Sequence, residues 1–263
     1  MINQIWITFL GIVRDRALYG IMVLCALFLV IPSASSLSMR QVTELSITLS
    51  LSLISFLLLL CAVFFSSFSV WRDIERRYSF SVLALPVSRS HFILGKFLAI
   101  AAFLTLCGVV LGLIAPLAIS ATAAYYPPDR AIMWSSILLA IGYDVLKYIL
   151  LSAVGLLFSA ISTSFFLPVF GTISVYLCGT MSQDVQNYLS SSAANDVPVF
   201  IKELASIFYH VVPNFDAFDF NLAAIYSLPV DHKGGLLTLG YFVAYTLIVL
   251  FFACFFFSRR ELR

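Results

Sequence analysis

Two ionisable residues, Asp144 and Lys147, interrupt an apolar stretch that is long enough to form a helix through a membrane. Their spacing of three residues places both side chains on one face of that helix. Charged groups inside a membrane are costly, and they commonly mark a substrate path or a proton relay. Two interpretations stay open: an internal ion pair that neutralises itself, or a role in a cargo path or in gating.

The histidines give little indication of a metal site. His91, His210 and His232 are far apart in the sequence and have no neighbouring set of ligands. His210 together with Asp216 and Asp219 is the one conceivable cluster, and its spacing matches no common metal site. The five cysteines lie inside apolar runs without CxxC spacing, which favours apolar packing over disulfides. The sequence therefore predicts no metal site.

Sequence motifs for catalysis are missing. The chain has no GxxxxGK[ST] loop to hold the phosphates of ATP, no HExxH zinc motif and no GxSxG nucleophile turn. Serines inside the apolar stretches are better explained by hydrogen bonds to the helix backbone than by nucleophilic attack. We therefore expect that this chain is not an enzyme and holds no cofactor.

Composition identifies the class of protein to which these residues belong. Of the 263 residues, 62% are hydrophobic and 11% are charged, whereas soluble domains average roughly 45–50% and about 25%. So few polar groups cannot cover a soluble fold, which excludes a soluble enzyme, a nucleic-acid-binding module and a disordered chain. The sequence predicts an all-α membrane protein, because helices satisfy their own backbone hydrogen bonds in lipid.

The apolar runs predict six transmembrane helices, each near the roughly 20 residues that a span requires. Charged or turn-forming segments separate them, such as 126–129, whose two prolines cannot continue a helix. No internal repeat or soluble domain is visible, so 1–263 is interpreted as a single transmembrane domain. The spans are predicted near 17–37, within 45–71, from 97 to about 124, near 133–159, from 165 to 178 or slightly beyond, and from about 236 to 257.

Two further helices are expected outside the spans. Residues 1–13 carry apolar side chains at spacings of three and four, so an amphipathic helix in the membrane interface is predicted over 1–16. A cleavable signal peptide with 18–31 as its apolar core is the alternative. The longest connection, 181–235, contains a similar stretch at 197–212, which we expect to sit on or dip into the outer surface of the bundle.

Lysine and arginine predict the orientation, because cytoplasmic loops are enriched in these residues. With six spans, both chain ends lie on one side, and that side carries ten basic residues against four on the other. Both ends are therefore predicted to be cytoplasmic. The ten are Arg14, Arg16, Arg72, Arg76, Arg77, Arg89, Lys96, Arg259, Arg260 and Arg263, and the four are Arg40, Arg130, Lys202 and Lys233.

The cytoplasmic connection between the second and third spans, 72–96, combines charged residues with a helical apolar stripe. The stripe includes Tyr78, Val82 and Leu85, and Pro86 ends this helix because proline removes a backbone donor. A short amphipathic helix just outside the membrane suits docking into a groove of a soluble partner. A positively charged membrane anchor is the simpler alternative for the same charges.

This connection resembles the corresponding loop of the type-2 ABC transporter permeases. The resemblance rests on the acidic residues of 73–75, on the Leu-Ala-Leu-Pro-Val-Ser-Arg segment 83–89, and on the Gly-Lys pair 95–96 at the start of a span. In that family the loop follows the second span and contacts the ATPase subunit. The resemblance implies a coupling surface that consists of Glu75, Tyr78, Val82, Leu85, Pro86 and Arg89.

Two other segments are similar to the same family. The N-terminal helix resembles the family's interfacial elbow helix, and 212–219 resembles a recurrent outer element before the last span. One segment departs from the family: 77–80 reads Arg-Tyr-Ser-Phe, where the family often has Gly-Thr-Leu, so the subfamily and the cargo stay open. The residues of the outer motif are Pro213, Asn214, Asp216 and Asp219.

The resemblance implies the membrane-spanning subunit of an ATP-driven exporter in a bacterial cytoplasmic membrane. ATP and magnesium are then bound by a separate soluble ATPase subunit. Six spans are half a transporter in this family, so a homodimer of permeases is expected, with membrane lipid around it and no nucleic-acid partner. Two alternatives stay open: a mechanotransmission or assembly subunit that acts on a periplasmic partner, and an ATP-independent secondary transporter.

Overall fold

The computed structural model describes residues 2–38, 41–75, 89–126, 131–162, 164–191, 198–228 and 232–259. Within these ranges the protein is helical and contains no β-strand, which confirms the predicted all-α class. Short 3₁₀ turns occupy Ala26–Leu29 and Asp216–Phe218. The ten α-helices in these ranges are α1 (Ile2–Val13), α2 (Arg16–Cys25), α3 (Ile31–Ser35), α4 (Val42–Glu75), α5 (Arg89–Tyr125), α6 (Trp134–Ile161), α7 (Phe166–Ser190), α8 (Val199–Val211), α9 (Asn221–Ile225) and α10 (His232–Arg259).

Four helices in the described ranges are long and apolar enough to cross a membrane. They are α4, α5, α6 and α10, with apolar stretches over Val42–Arg72, Arg89–Tyr125, Trp134–Ile161 and Lys233–Arg259. A bilayer core about 30 Å thick requires about 20 helical residues, and each of these stretches exceeds that length. These four helices indicate an integral membrane protein.

Helix α6 forms the centre of the bundle. In its most apolar stretch, 72% is buried, whereas the corresponding share in α10 is 22%. Helix α6 is so deeply buried because α4, α5, α7 and α10 all pack against it. A Cβ atom on Gly108 of α5 would overlap the side chain of Val145 on α6, and one on Gly112 would contact Ile141. This pair of glycines in a GxxxG pattern therefore lets α5 and α6 approach closely.

The ends of the long helices define two ends of the bundle. One end, which we call the basic end, holds Arg72 in the last turn of α4, Arg89 at the start of α5 and Arg259 at the end of α10. At the opposite, distal end, the Thr43 hydroxyl on α4 donates to the carbonyl oxygen of Tyr126, which follows α5, at 3.1 Å. Helices α4 and α5 are thus antiparallel neighbours that run between the same two ends.

Helix α7 occupies the position of the predicted fifth span and is longer than predicted. Phe165, directly before α7, stacks on Phe68 near the basic end of α4, with 4.4 Å between the ring centroids. Farther along α7, the carbonyl oxygen of Gly179 accepts a hydrogen bond from the backbone N–H of Phe215. Its 25 residues correspond to a length of about 37 Å.

The first predicted span, 17–37, was wrong as a continuous helix. A 3₁₀ turn separates α2 from α3, and Pro32 lies in the first turn of α3. Proline has no N–H to donate to the carbonyl four residues earlier, which lies within the 3₁₀ turn. The segment 17–37 still begins beside the basic end, where Asp15 pairs with Arg72 at 2.5 Å. It leads to the start of α4, which lies at the distal end.

Apart from the end of α7, which lies at Ser190 and not near 178, the other predicted boundaries agree within a few residues, with one exception. Helix α5 begins at Arg89 and not after Lys96, so Lys96 is an interior residue of the helix. The amphipathic helices predicted over 1–13 and 197–212 are confirmed as α1 and α8. Helix α1 packs against α5, and its placement in the membrane interface stays a prediction.

Candidate functional site

The predicted coupling segment lies only partly within the described residues. Glu75 is the last residue of α4, and Arg89 is the first residue of α5. The amphipathic helix between them therefore stays a prediction. The coupling residues that lie outside the described ranges are Tyr78, Val82, Leu85 and Pro86.

Both flanks of the coupling segment are anchored at the basic end. On one flank, Nη1 of Arg89 donates to the backbone carbonyl of Ser258 near the end of α10, at 2.9 Å. On the other, Nη1 of Arg72 lies 2.5 Å from Oδ2 of Asp15, directly after α1. The segment is thus attached to α4 and α5, and through them to α1 and α10.

Asp144 and Lys147 form the internal ion pair that their spacing predicted. Nζ of Lys147 lies 2.5 Å from Oδ1 of Asp144, and the two residues are only 6% and 2% exposed. The ammonium also lies over the ring of Tyr148, 4.9 Å from its centroid. Oδ2 of Asp144 has no hydrogen-bond partner among the described residues. A role in gating or in a cargo path stays a prediction.

Next to this ion pair, three hydroxyl groups link three helices. Oη of Tyr148 on α6 lies 2.6 Å from Oγ of Ser55 on α4 and 3.3 Å from Oη of Tyr176 on α7. The sequence does not predict this network, because single hydroxyl residues are common in apolar helices and none of the three stands near another in the sequence. Their contact depends on the packing of α4, α6 and α7 against one another.

Asn214 holds the outer motif in place through both ends of its side chain. Its Nδ2 donates to Oε1 of Gln183 on α7 at 2.9 Å, and its Oδ1 accepts from the backbone N–H of Asp216 at 3.0 Å and of Ala217 at 3.3 Å. Its own backbone N–H donates to Oη of Tyr241 on α10 at 2.8 Å. Asn214 therefore joins α7 and α10 and shapes the 3₁₀ turn.

The remaining residues of the outer motif have different roles. Pro213 is buried, and its carbonyl oxygen approaches Gly179 of α7 so closely that a Cβ atom would not fit there. Oδ1 of Asp219 accepts from the backbone N–H of Asn221 at the start of α9, at 2.9 Å. Asp216 is exposed, and partial desolvation together with negatively charged neighbours raises its pKa.

The fold brings the outer motif to the ion pair, a relationship that the sequence did not predict. The 3₁₀ turn of the motif packs against α6, and the ring of Phe220 lies 4.3 Å from that of Tyr143, next to Asp144. Asp219 precedes Phe220 and Asp144 follows Tyr143, so the two carboxyl-bearing residues flank this ring contact, and Lys147 partly offsets the rise in the pKa of Asp216. The two sets of candidate residues therefore form one polar region.

Comparisons with known proteins assign no family to this chain. No protein-family model and no curated protein matches it. A proposal about function therefore has to rest on the sequence resemblance of the coupling segment and on the geometry of the described residues.

The conceivable metal cluster of the sequence does not form in the described ranges. There, no group of three His, Cys, Asp or Glu side chains lies close enough to hold a metal ion. Nδ1 of His210 lies 2.7 Å from the carbonyl oxygen of Ser206, one turn earlier in α8. The five cysteines are free thiols.

Proposed function

We propose that this protein is the membrane-spanning permease subunit of an ATP-driven ABC exporter, energised by a separate ATPase subunit. The observation that carries this proposal is the 72–96 segment, whose sequence resembles the ATPase-contacting loop of type-2 permeases. It joins two long apolar helices, α4 and α5, at the end of the bundle where basic residues concentrate. Both flanks of the segment are tied to other helices, as a force-transmitting element requires.

Six membrane crossings are part of this proposal. The four long apolar helices supply four of them. If α6 and α10 both run from the outside to the inside, α6 ends inside and α10 begins outside. Helix α7 must then cross the membrane between them. The segment 16–37 must likewise lead from the basic end to the start of α4. The basic end is then cytoplasmic by the enrichment of lysine and arginine.

The topology is testable with reporter fusions. Green fluorescent protein fluoresces when fused to a cytoplasmic end, and alkaline phosphatase is active only outside the cytoplasm. We expect fluorescence for a C-terminal fusion and phosphatase activity for an insertion at 192–197. Phosphatase activity at both positions contradicts the six-crossing arrangement.

The coupling assignment is testable at the apolar stripe of the segment. In Val82→Asp/Leu85→Asp, two apolar contacts with the ATPase are replaced by charges, and losing one anchor residue of an interface typically costs about 2 kcal/mol or more, roughly 30-fold in affinity. We expect the ATPase to dissociate while the permease stays folded. The matched control, Leu228→Asp, changes an exposed leucine after α9 and should retain the ATPase. Equal ATPase binding in both variants contradicts the assignment.

A second candidate function is a mechanotransmission subunit that acts on a periplasmic partner. The observation that favours it is the apolar surface of α8, where Phe200, Ile207 and Val211 are 73%, 61% and 67% exposed. A groove of about 370 Å³ lies between α7 and α8, lined almost entirely by apolar side chains. A periplasmic protein that co-purifies with the wild type but not with Phe200→Ser/Ile207→Ser supports this function.

A further inference from the structure

A buried lysine lies between the two helices that flank the coupling segment. Lys96 is seven residues inside α5, and only 3% of it is exposed. Its Nζ donates to the carbonyl oxygen of Ser69 on α4 at 2.5 Å and lies 3.0 Å from the Ser69 hydroxyl. The same ammonium lies over the ring of Phe92, 5.0 Å from its centroid. One charged side chain thus joins α4 to α5.

The environment of Lys96 differs from that of a membrane anchor. An anchoring lysine extends its ammonium towards water and lipid headgroups and keeps it exposed. Lys96 points into the bundle, where burying a charge is costly unless hydrogen bonds and nearby charge compensate it. Ser69 lies six residues before the end of α4, and its carbonyl and hydroxyl oxygens both compensate the ammonium.

The contacts around Lys96 form a continuous set at the basic end. Below Lys96 along α5, the ring of Phe92 stacks on that of Phe257 of α10 at 5.6 Å. Arg89 reaches the same helix through the carbonyl oxygen of Ser258. Lys96 is the contact of this set that reaches α4. Lys96 therefore supplies a polar link between the two flanks of the coupling segment, in addition to the packing of α4 against α5.

We propose that Lys96 is a positioning residue that locks α4 to α5 at the base of the coupling segment. A displacement passed on by the coupling segment then moves both helices as one unit at this end, whereas without the link only the apolar packing of α4 against α5 joins them there. This inference rests on the proposed function, because the ATPase subunit supplies the displacement. Lys96 acts on α4 through its contact with Ser69.

Hydrogen–deuterium exchange measured by mass spectrometry tests this proposal on the full-length chain. Lys96→Met removes the charge and keeps the apolar stem, Lys96→Arg keeps the charge, and Lys202→Met on α8 is the matched control. In the isolated permease, we expect faster exchange at 67–75 and 89–97 in Lys96→Met, wild-type exchange in Lys202→Met and rescue in Lys96→Arg. Unchanged exchange in Lys96→Met overturns the link itself.

The same variants are then compared as complexes with the ATPase, without nucleotide and trapped with ATP and vanadate. We expect trapping to alter exchange in both α4 and α5 of the wild type, and we expect this response to be lost in Lys96→Met. A merely structural lysine changes the isolated permease but leaves the nucleotide response, so a full response in Lys96→Met overturns the positioning role.

Two further outcomes distinguish a failure of the Lys96 link from a failure of the proposed function. If no ATPase binds the wild type, the proposed function fails, and the isolated permease still decides whether Lys96 links the helices. If Lys96→Met does not fold, Ser69→Ala removes the hydroxyl partner from the other side of the link. We expect a smaller loss of the nucleotide response in Ser69→Ala, and an undiminished response overturns the proposal.

Discussion

The ammonium of Lys147 and the carboxylate of Asp144 lie 2.5 Å apart on one face of α6, and both residues are almost fully buried. A pair this close neutralises itself, which reduces the cost of holding two charges inside a membrane-spanning helix. The negative charge of Asp219 reaches the same position from the outer motif. The pair therefore neutralises its own charge within α6, on the part of the helix against which the outer motif packs.

Breaking this pair from one side should be more harmful than removing it. Either Asp144→Asn or Lys147→Met leaves one buried charge without its partner, and we expect each to lower the free energy of unfolding by about 3–5 kcal/mol. The double variant removes both charges and should recover most of that loss. Circular dichroism during denaturation in mixed micelles measures all three variants.

The double variant also separates the two interpretations of the pair. Wild-type stability with wild-type function identifies a structural pair, whereas wild-type stability with lost function identifies a gating or cargo role. Single variants that each cost less than about 1 kcal/mol, as for an exposed pair, contradict the buried geometry.

Gly179 should tolerate no side chain. A Cβ atom there would overlap the carbonyl oxygen of Pro213 and lie 2.6 Å from the ring of Phe215, so we expect Gly179→Ala to destabilise the protein by about 1–3 kcal/mol. The matched control is Gly142→Ala on α6, where a Cβ atom meets nothing within 4 Å. The control should be neutral or more stable, because alanine favours helix over glycine. Thermal unfolding of both variants in detergent measures the difference, and equal midpoints contradict the packing.

The hydrogen-bond donor and the acceptor of the Asn214 side chain can be tested separately. Asn214→Ala loses the bond to Gln183 and both bonds to the 3₁₀ turn, so we expect a loss of about 1–3 kcal/mol. Asn214→Asp keeps the acceptor for the turn and loses only the donor, and it should lose less. Gln186→Ala, at a partly exposed amide on α7, is the control, with an expected change within about 0.5 kcal/mol. Equal stability of Asn214→Ala and the control, by thermal unfolding, contradicts this role.

Asp216 should contribute a pH dependence of stability. Partial desolvation, together with the negative charges of Asp219 and Asp184, raises its pKa above the ordinary 3.8, and Lys147 opposes this effect. Between 3.8 and the raised pKa, the folded state binds more protons than the unfolded state, so stability falls as the pH rises through that interval. The variant Asp216→Asn should lack this decline. Thermal unfolding midpoints across an acidic pH series measure it, and identical slopes in the two proteins contradict the prediction.

Hydropathy predicted most of the helices because it reports directly on length and apolar content. The exception is 17–37, where the composition is apolar throughout and the effect of Pro32 on the turn before it is local. Lys96 shows a second limit. A lysine near the end of an apolar run is expected at a membrane boundary, and only the packing of α4 against α5 shows that it is buried.

The polar region at the distal end shows what a sequence without tertiary contacts cannot predict. The spacing of Asp144 and Lys147 predicted their pairing because it is local to one helix. The approach of Asp219 and the hydroxyl of Ser55 to this region depends on contacts between residues that are far apart along the chain. Such contacts follow from the packing of whole helices, which apolar patterning does not specify.

Co-purification tests the central claim most directly. The full-length chain is tagged at its C-terminus, extracted from native membranes in mild detergent, and the proteins bound to it are identified and quantified by mass spectrometry. We expect a stoichiometric soluble ATPase with a phosphate-binding loop, which is absent from the Val82→Asp/Leu85→Asp preparation and present with Leu228→Asp. A folded wild-type protein that retains no ATPase contradicts the proposed permease function.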